Sequence, residues 1–247
     1  VLLKLIVDIG NTSSKIAVFS NDEIIEFRVI KENLIEVLKE IIISFPDICS
    51  SILSSVSNHD GEVSKFLQGK GYFIELTHTT KVPFKNMYQS AATLGKDRIA
   101  IAAAGSLAYP GENVLVIDTG TCVTYDFINA DGDYLGGAIS PGLTMRFDAL
   151  SKFTHELPRL DKPSAEKEVN LVGKTTHESI TSGVINGLKT EVEHIINQYE
   201  ALFSPLKIII SGGDYLYFEN LVKSNIFASP NIVVHGLKKI LDFNEKN

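Results

Sequence analysis

The sequence has no G-x-x-x-x-G-K-[ST] loop and no G-x-G-x-x-G stretch, so P-loop and Rossmann nucleotide sites lose their main support. It also has no basic stripe. With 23 Lys and Arg against 30 Asp and Glu, a formal charge of −7 argues against a dedicated nucleic-acid surface, which needs cations to neutralise phosphates. No apolar run is long enough to span a bilayer. The opening VLLKLIV passes straight into Asp8 and reads as a first strand, not a signal sequence. The expected partners therefore include neither nucleic acid nor membrane. Only two cysteines occur, Cys49 and Cys122, far apart and without metal-type spacing, so reduced thiols and a cytoplasmic location are expected. His59, His78, His155, His177, His194 and His235 are scattered without a paired ligand pattern, and no zinc site is expected.

What is present is an α/β pattern that occurs twice. Strand patterns at about 2–8, 14–20 and 23–29, joined by Gly10-Asn11-Thr12 and Asn21-Asp22, read as a three-stranded meander. A helix over 31–44 stops at Pro46, and a strand at 50–56, a helix near 60–69 and a strand at 72–76 follow. An alanine-rich helix lies within 90–108, with Gly95 at its start. After Pro110-Gly111 the meander restarts at 114–118, 122–128 and 134–138, with Asp131-Gly132 as a turn. A shift of 110 positions places Asp8 on Asp118, Gly10 on Gly120 and Thr12 on Cys122. Two copies are too few for a solenoid, so the pattern predicts a duplicated architecture with domains 1–112 and 113–247 and a ligand cleft between them. Residues 158–172, polar and proline-containing, read as a mobile loop. A helix at 176–202 and a strand at 206–211 ending in Ser211-Gly212-Gly213 come next, and short elements finish the chain.

The stretch LIVDIGNTSSK ends an apolar strand on an acid. Gly10 allows close backbone approach, while Asn11, Thr12 and Ser13 supply amide and hydroxyl donors suited to phosphate oxygens. A carboxylate beside such donors makes sense if a hydrated Mg²⁺ sits between Asp8 and the phosphates, since magnesium keeps its waters and takes one or two carboxylates. Lys15, on the next strand, offers an ammonium to terminal phosphates. A plain hairpin with a solvated lysine accounts for one copy equally well. The second copy, DTGTCVT, repeats the theme through Asp118, Gly120, Thr121 and Thr124.

This combination resembles the actin, hexokinase and Hsp70 ATPase superfamily, in which duplicated ribonuclease H-like domains clasp ATP in an interdomain cleft. DIGNTSSK, NMYQSAATLGKDR, DTGTCVT, GGAISPG and GKTTHESITSG, in that order over residues 8–183, resemble the motifs of the type III pantothenate kinases. The resemblance implies phosphoryl transfer from ATP to pantothenate, the first step toward coenzyme A, by a homodimer. It assigns Asp97 as the base toward the pantothenate hydroxyl, and Tyr88, Gly95, Lys96, Arg98 and Thr176 as further substrate contacts. Asp8, Ile9, Gly10, Asn11, Thr12, Ser13, Ser14 and Lys15 become the ATP and Mg²⁺ turn, Thr121 an ATP contact, and Asp118 the ligand of a monovalent cation, K⁺ or NH₄⁺. Two other readings stay open: a non-catalytic, transcription-accessory relative, and a kinase of the same superfamily for another small molecule. Without the resemblance, Asp97-Arg98 reads as an exposed helix-start charge pair, Tyr88 as core and Thr176 as an N-cap. Cys122 and Met87 depart from the Ala and Pro common in the family.

Overall fold

The computed structural model of the chain describes residues 2–56, 61–221 and 226–246; His59 lies outside them. The chain divides into two compact units, one of residues 1–108 with 232–247 and the other of residues 109–231.

In the first unit β1 (Leu3–Ile9), β2 (Ser14–Ser20) and β3 (Glu23–Ile30) form the expected antiparallel meander. β1 is buried on both faces, which is why it reads as a nearly continuous apolar run and not as an alternation. One face, Leu5, Val7, Ile9, Ile16 and Val18, packs with Leu38 and Ile41 of α1 (Leu34–Ser44) and with Val63 and Leu67 of α2 (Glu62–Gln68). β4 (Ile48–Ser55) runs parallel to β1 and β5 (Tyr72–Glu75) parallel to β4, giving the order β3-β2-β1-β4-β5. A two-residue strand, β6 (Lys85–Asn86), precedes α3 (Lys96–Ala108).

The second unit repeats this plan. β7 (Asn113–Thr119), β8 (Cys122–Ile128) and β9 (Asp133–Pro141) form the meander. β10 (Leu206–Ser211) runs parallel to β7 and β11 (Ile226–Ala228) parallel to β10, so five strands follow the order β9-β8-β7-β10-β11. α4 (Leu143–Phe153) and the 28-residue α5 (Thr176–Phe203) cover one face through Phe147, Ile180, Val184, Leu188 and Val192. Residues 158–172 form no helix or strand, yet they are not a detached loop. Leu160, Ala165 and Val169 pack on the unit's core, Pro163 accepts a hydrogen bond from the Tyr217 hydroxyl, and Lys162 pairs with Asp214. The wide spacing of those apolar residues hides the anchoring in a polar composition.

The expected boundary of the second domain differs at its far end. The chain closes not on short elements but on a 14-residue helix, α6 (Ile232–Glu245), which belongs to the first unit. It packs on α3, β1 and β4. Gly236 is the reason the helices meet so closely: a Cβ there would stand 1.8 Å from the Ala100 carbonyl oxygen. Lys238, only 7% exposed, donates to Asp22 at 2.6 Å and to Asp242 at 2.8 Å, and Lys4 reaches Asp242 at 2.7 Å. The Asn21-Asp22 turn of the first meander is thus tied to the last helix.

Gly236→Ala is expected to force α3 and α6 apart, at a cost of about 1–3 kcal/mol in urea unfolding, the range for overpacking a tight site. Lys238 and Lys239 hold the Asp22 carboxyl down to about 2, below its ordinary 3.8. An acid whose folded-state pKa is depressed adds stability that is complete above the ordinary value and lost as pH falls toward the folded one. Asp22 is 73% exposed, so screening keeps the effect small. Asp22→Asn should lower the thermal midpoint slightly at neutral pH, with the gap to wild type closing as pH falls from about 4 to 2.

Candidate active site

Strand register builds the site in the first unit. Asp8 lies opposite Lys15 on antiparallel β2 and opposite Ser54 on parallel β4. Residues directly opposite one another project from the same face of a sheet, so Ser54, Asp8 and Lys15 form a row across three strands. Asp8 is 8% exposed. Burial pushes its carboxyl above the ordinary range; Lys15 and the Ser54 hydroxyl pull it back, and the charge of Asp97 raises it further. Ser54 Oγ is buried and has no partner within ordinary hydrogen-bond geometry, so its influence on Asp8 is that of a nearby dipole. Ser54 is absent from every motif read in the sequence.

Asp97 arrives from the other side of the sequence. It sits in the first turn of α3, where Ile99 N–H bonds the Gly95 carbonyl at 3.0 Å and Asp97 Oδ1 accepts the Arg98 N–H at 2.8 Å. Free amides at a helix start favour anions there. The Arg98 guanidinium is not an exposed helix-start charge: the residue is 4% exposed and its guanidinium stacks over the Tyr88 ring at 5.6 Å. Tyr88, half-buried, therefore belongs to this group. Gly95 and Lys96 complete the approach to the helix. The turn between β1 and β2 closes by Gly10 N–H to Ser13 O at 3.1 Å, leaving Asn11 and Thr12 exposed with Ser13, Ser14 and Lys15 partly so. The Ile9 side chain is in the core, which limits its contribution to backbone.

In the second unit the row recurs as Ser211, Asp118 and Thr124. The constant shift of 110 does not hold across the turn. Asp118 pairs with Thr124 where Asp8 pairs with Lys15, so the second hairpin is one residue shorter, and the position of Lys15 is taken by Thr124. Gly120 N–H closes this turn on Cys122 O at 2.9 Å, with Thr121 exposed at its tip. Thr176, the first residue of α5, is exposed and does not cap the helix. Thr175 does so, accepting the Glu178 N–H at 3.2 Å, while Glu178 in turn accepts the Lys174 N–H at 2.7 Å. Cys49 and Cys122 are both outside any disulfide. Among the described residues no helix is long and apolar enough to cross a membrane, and no three His, Cys, Asp or Glu gather as a metal cluster.

The donor set of the first unit fits a hard divalent cation of the magnesium type. A buried carboxylate is further strained by a second one nearby, with Lys15 as the counter-charge, and magnesium prefers few carboxylates with water and phosphate completing its shell. Asp118 is a half-buried carboxylate beside the turn between β7 and β8.

Comparison with known proteins places this geometry in context. The family profile described as type III pantothenate kinase matches residues 4–198. A type III pantothenate kinase of Christiangramia forsetii is 44% identical over 98% of this chain and 99% of its own, and one of Phocaeicola vulgatus is 40% identical over 99% and 100%. A crystal structure from Campylobacter jejuni, described under a Baf family transcriptional-activator name, has 22% identity and a TM-score of 0.63, covering 98% of this chain and 100% of that one. The activator of 2-hydroxyisocaproyl-CoA dehydratase from Clostridium difficile, with bound ADPNP, has 15% identity and a TM-score of 0.53 over 99% and 97%. At such identities the structures speak for the fold, which is the α/β fold of the actin, hexokinase and Hsp70 ATPases. With the family profile spanning most of the sequence and relatives matched nearly end to end, the chain belongs to the type III pantothenate kinase family.

Proposed function

We propose that this protein transfers the γ-phosphoryl group of ATP to the hydroxyl of pantothenate, giving 4'-phosphopantothenate and ADP, and that it works in the cytoplasm as a homodimer. The observation that supports this best is electrostatic: Asp97 of the G-K-D-R element lies near enough to Asp8 of the phosphate turn for its charge to raise the Asp8 pKa. The acid assigned to the alcohol and the acid assigned to the phosphates thus occupy one neighbourhood of one unit.

In this reading the pantothenate hydroxyl oxygen bonds to the γ-phosphorus as the bond from that phosphorus to the β–γ bridging oxygen breaks, and the hydroxyl proton passes to Asp97. A carboxylate is a weak base toward an alcohol. That suffices, because the transition state of phosphoryl transfer is loose and the alcohol loses its proton late. Asp97 chiefly orients the hydroxyl. Lys15 places positive charge at the terminal phosphates, and the Gly10–Ser13 turn offers amide and hydroxyl donors to their oxygens. Arg98, whose guanidinium lies over the Tyr88 ring, has a planar fork suited to the pantothenate carboxylate, and Thr176 contributes a further substrate contact. Thr121 contacts ATP from its exposed turn. Asp8 would hold Mg²⁺ through water, and the chemistry a bound Mg²⁺ supplies is neutralisation of the phosphate oxygens. Asp118 would hold K⁺ or NH₄⁺.

Purified protein given Mg-ATP and pantothenate should release ADP, faster with potassium than with sodium; an absence of turnover in both salts would remove this reading. Asp97→Asn should lower kcat on the order of 10²-fold, at the modest end for loss of a general base, with little change in ATP affinity by calorimetry. Asp8→Asn should separate stability from function. Because the folded-state pKa of Asp8 lies above its unfolded value, its ionised form costs stability at every pH above the ordinary carboxylate range. The amide should therefore raise the thermal midpoint of the ligand-free protein at pH 7 while weakening Mg-ATP binding by about tenfold or more.

A further inference from the structure

We propose that Arg146 and Glu191 form a positioning pair that holds the Gly120–Thr121 turn in its ATP-competent shape. Arg146 stands one turn into α4, and its guanidinium makes three hydrogen bonds. Nε donates to the Pro141 carbonyl at 2.8 Å, and Nη2 donates to Ser140 Oγ at 2.8 Å and to Glu191 Oε2 at 2.6 Å. The end of β9 is thereby fastened to the middle of α5. The Tyr125 hydroxyl, buried on β8, points to the other carboxylate oxygen of Glu191 at 3.4 Å. Arg146 and Glu191 are 22% and 28% exposed, so solvent and salt screen the pair only in part.

What Arg146 fastens is the backing of the phosphate turn. Pro141 is the register partner of Cys122, and Gly142 donates its N–H to the Thr121 carbonyl at 3.1 Å. Backbone contact there is so close that a Cβ on Gly142 would stand 2.4 Å from Gly120 O and 2.5 Å from Thr121 O. A shift of Pro141-Gly142 must therefore move the turn. The three acceptors diverge from one planar group, a geometry that arginine satisfies and that lysine, a point donor on a flexible stem, does not. Glu191 lies about four helical turns from Thr176, so loosening the pair should leave the substrate contact at the start of α5 in place.

The inference rests on the kinase reading through the contact of Thr121 with ATP, and goes beyond it by giving a task to Arg146 and Glu191. Its test is calorimetric titration of Mg-ATP into the full chain as wild type, Arg146→Met, Arg146→Lys and Glu191→Gln, alongside steady-state kinetics and thermal midpoints. Arg146→Met should raise the Kd and KM for ATP on the order of tenfold while the pantothenate KM stays within about twofold. Arg146→Lys, which keeps the charge opposite Glu191, and Glu191→Gln should fall between. Should Arg146→Met fold poorly, Arg146→Lys at wild-type midpoint still reads the effect. An unchanged ATP affinity in Arg146→Lys and Arg146→Met, or equal losses for both substrates in step with stability, would overturn the assignment. Wild-type protein that binds Mg-ATP but leaves pantothenate unphosphorylated would remove the substrate reading alone, whereas failure to bind Mg-ATP would remove both.

Discussion

A buried carboxylate at the end of a central strand is the constraint around which the first unit is arranged. Removing Asp8 from water costs several kcal/mol unless partners replace its hydration. The chain meets that cost partly, by placing Lys15 and Ser54 beside it through strand register. It then adds to the cost by bringing Asp97 near. Bringing a second acid toward a buried one does nothing for stability. A cation would complete the balance, and the Mg²⁺ proposed to accompany ATP would supply that charge.

Duplication explains why the arrangement occurs twice and divergence why the copies differ. Both units order their strands in one way and both carry a Ser-Asp pair on neighbouring parallel strands, Ser54 with Asp8 and Ser211 with Asp118. The third member separates them. Lys15 brings a charge to its row, while Thr124 turns its hydroxyl to the buried Asp126 at 2.9 Å, which Tyr134 also bonds at 2.7 Å. The second row therefore carries a neutral threonine where the first carries a lysine. The two acids thus sit in different electrostatic settings, in keeping with the different cations proposed for them.

How much of this the sequence discloses depends on whether the cause is local. The meanders were legible because turn residues such as Asn21-Asp22 and Asp131-Gly132 punctuate them, and the start of α3 because G-K-D-R opens an alanine-rich run. Ser54 was not legible, since its membership of the row depends on β4 pairing in parallel with a strand more than forty residues earlier. The cap of α5 was missed by one residue because Thr175 and Thr176 are chemically identical and only backbone angles choose between them. The shorter second hairpin escaped for a related reason: a fixed offset aligns strands but cannot sense a residue lost within a turn. The anchoring of residues 158–172 was hidden by the spacing of their few apolar side chains.

The placement of Asp97 shows where local reasoning ends. Residues 98–105 of α3 are buried on every side, so the helix has no single apolar stripe that would set its rotation about its own axis. A turn of one residue would swing Asp97 by about 100° and carry it away from Asp8. The close approach of Gly236 to the Ala100 carbonyl seats the α3 backbone directly against α6 and so helps to set that rotation. α6 is in turn held by Lys238 and Lys4 to the meander that carries Asp8. The last helix of the chain thus closes a mechanical loop from the phosphate turn to the proposed base. The distance between the two acids is a property of that loop and of neither motif alone.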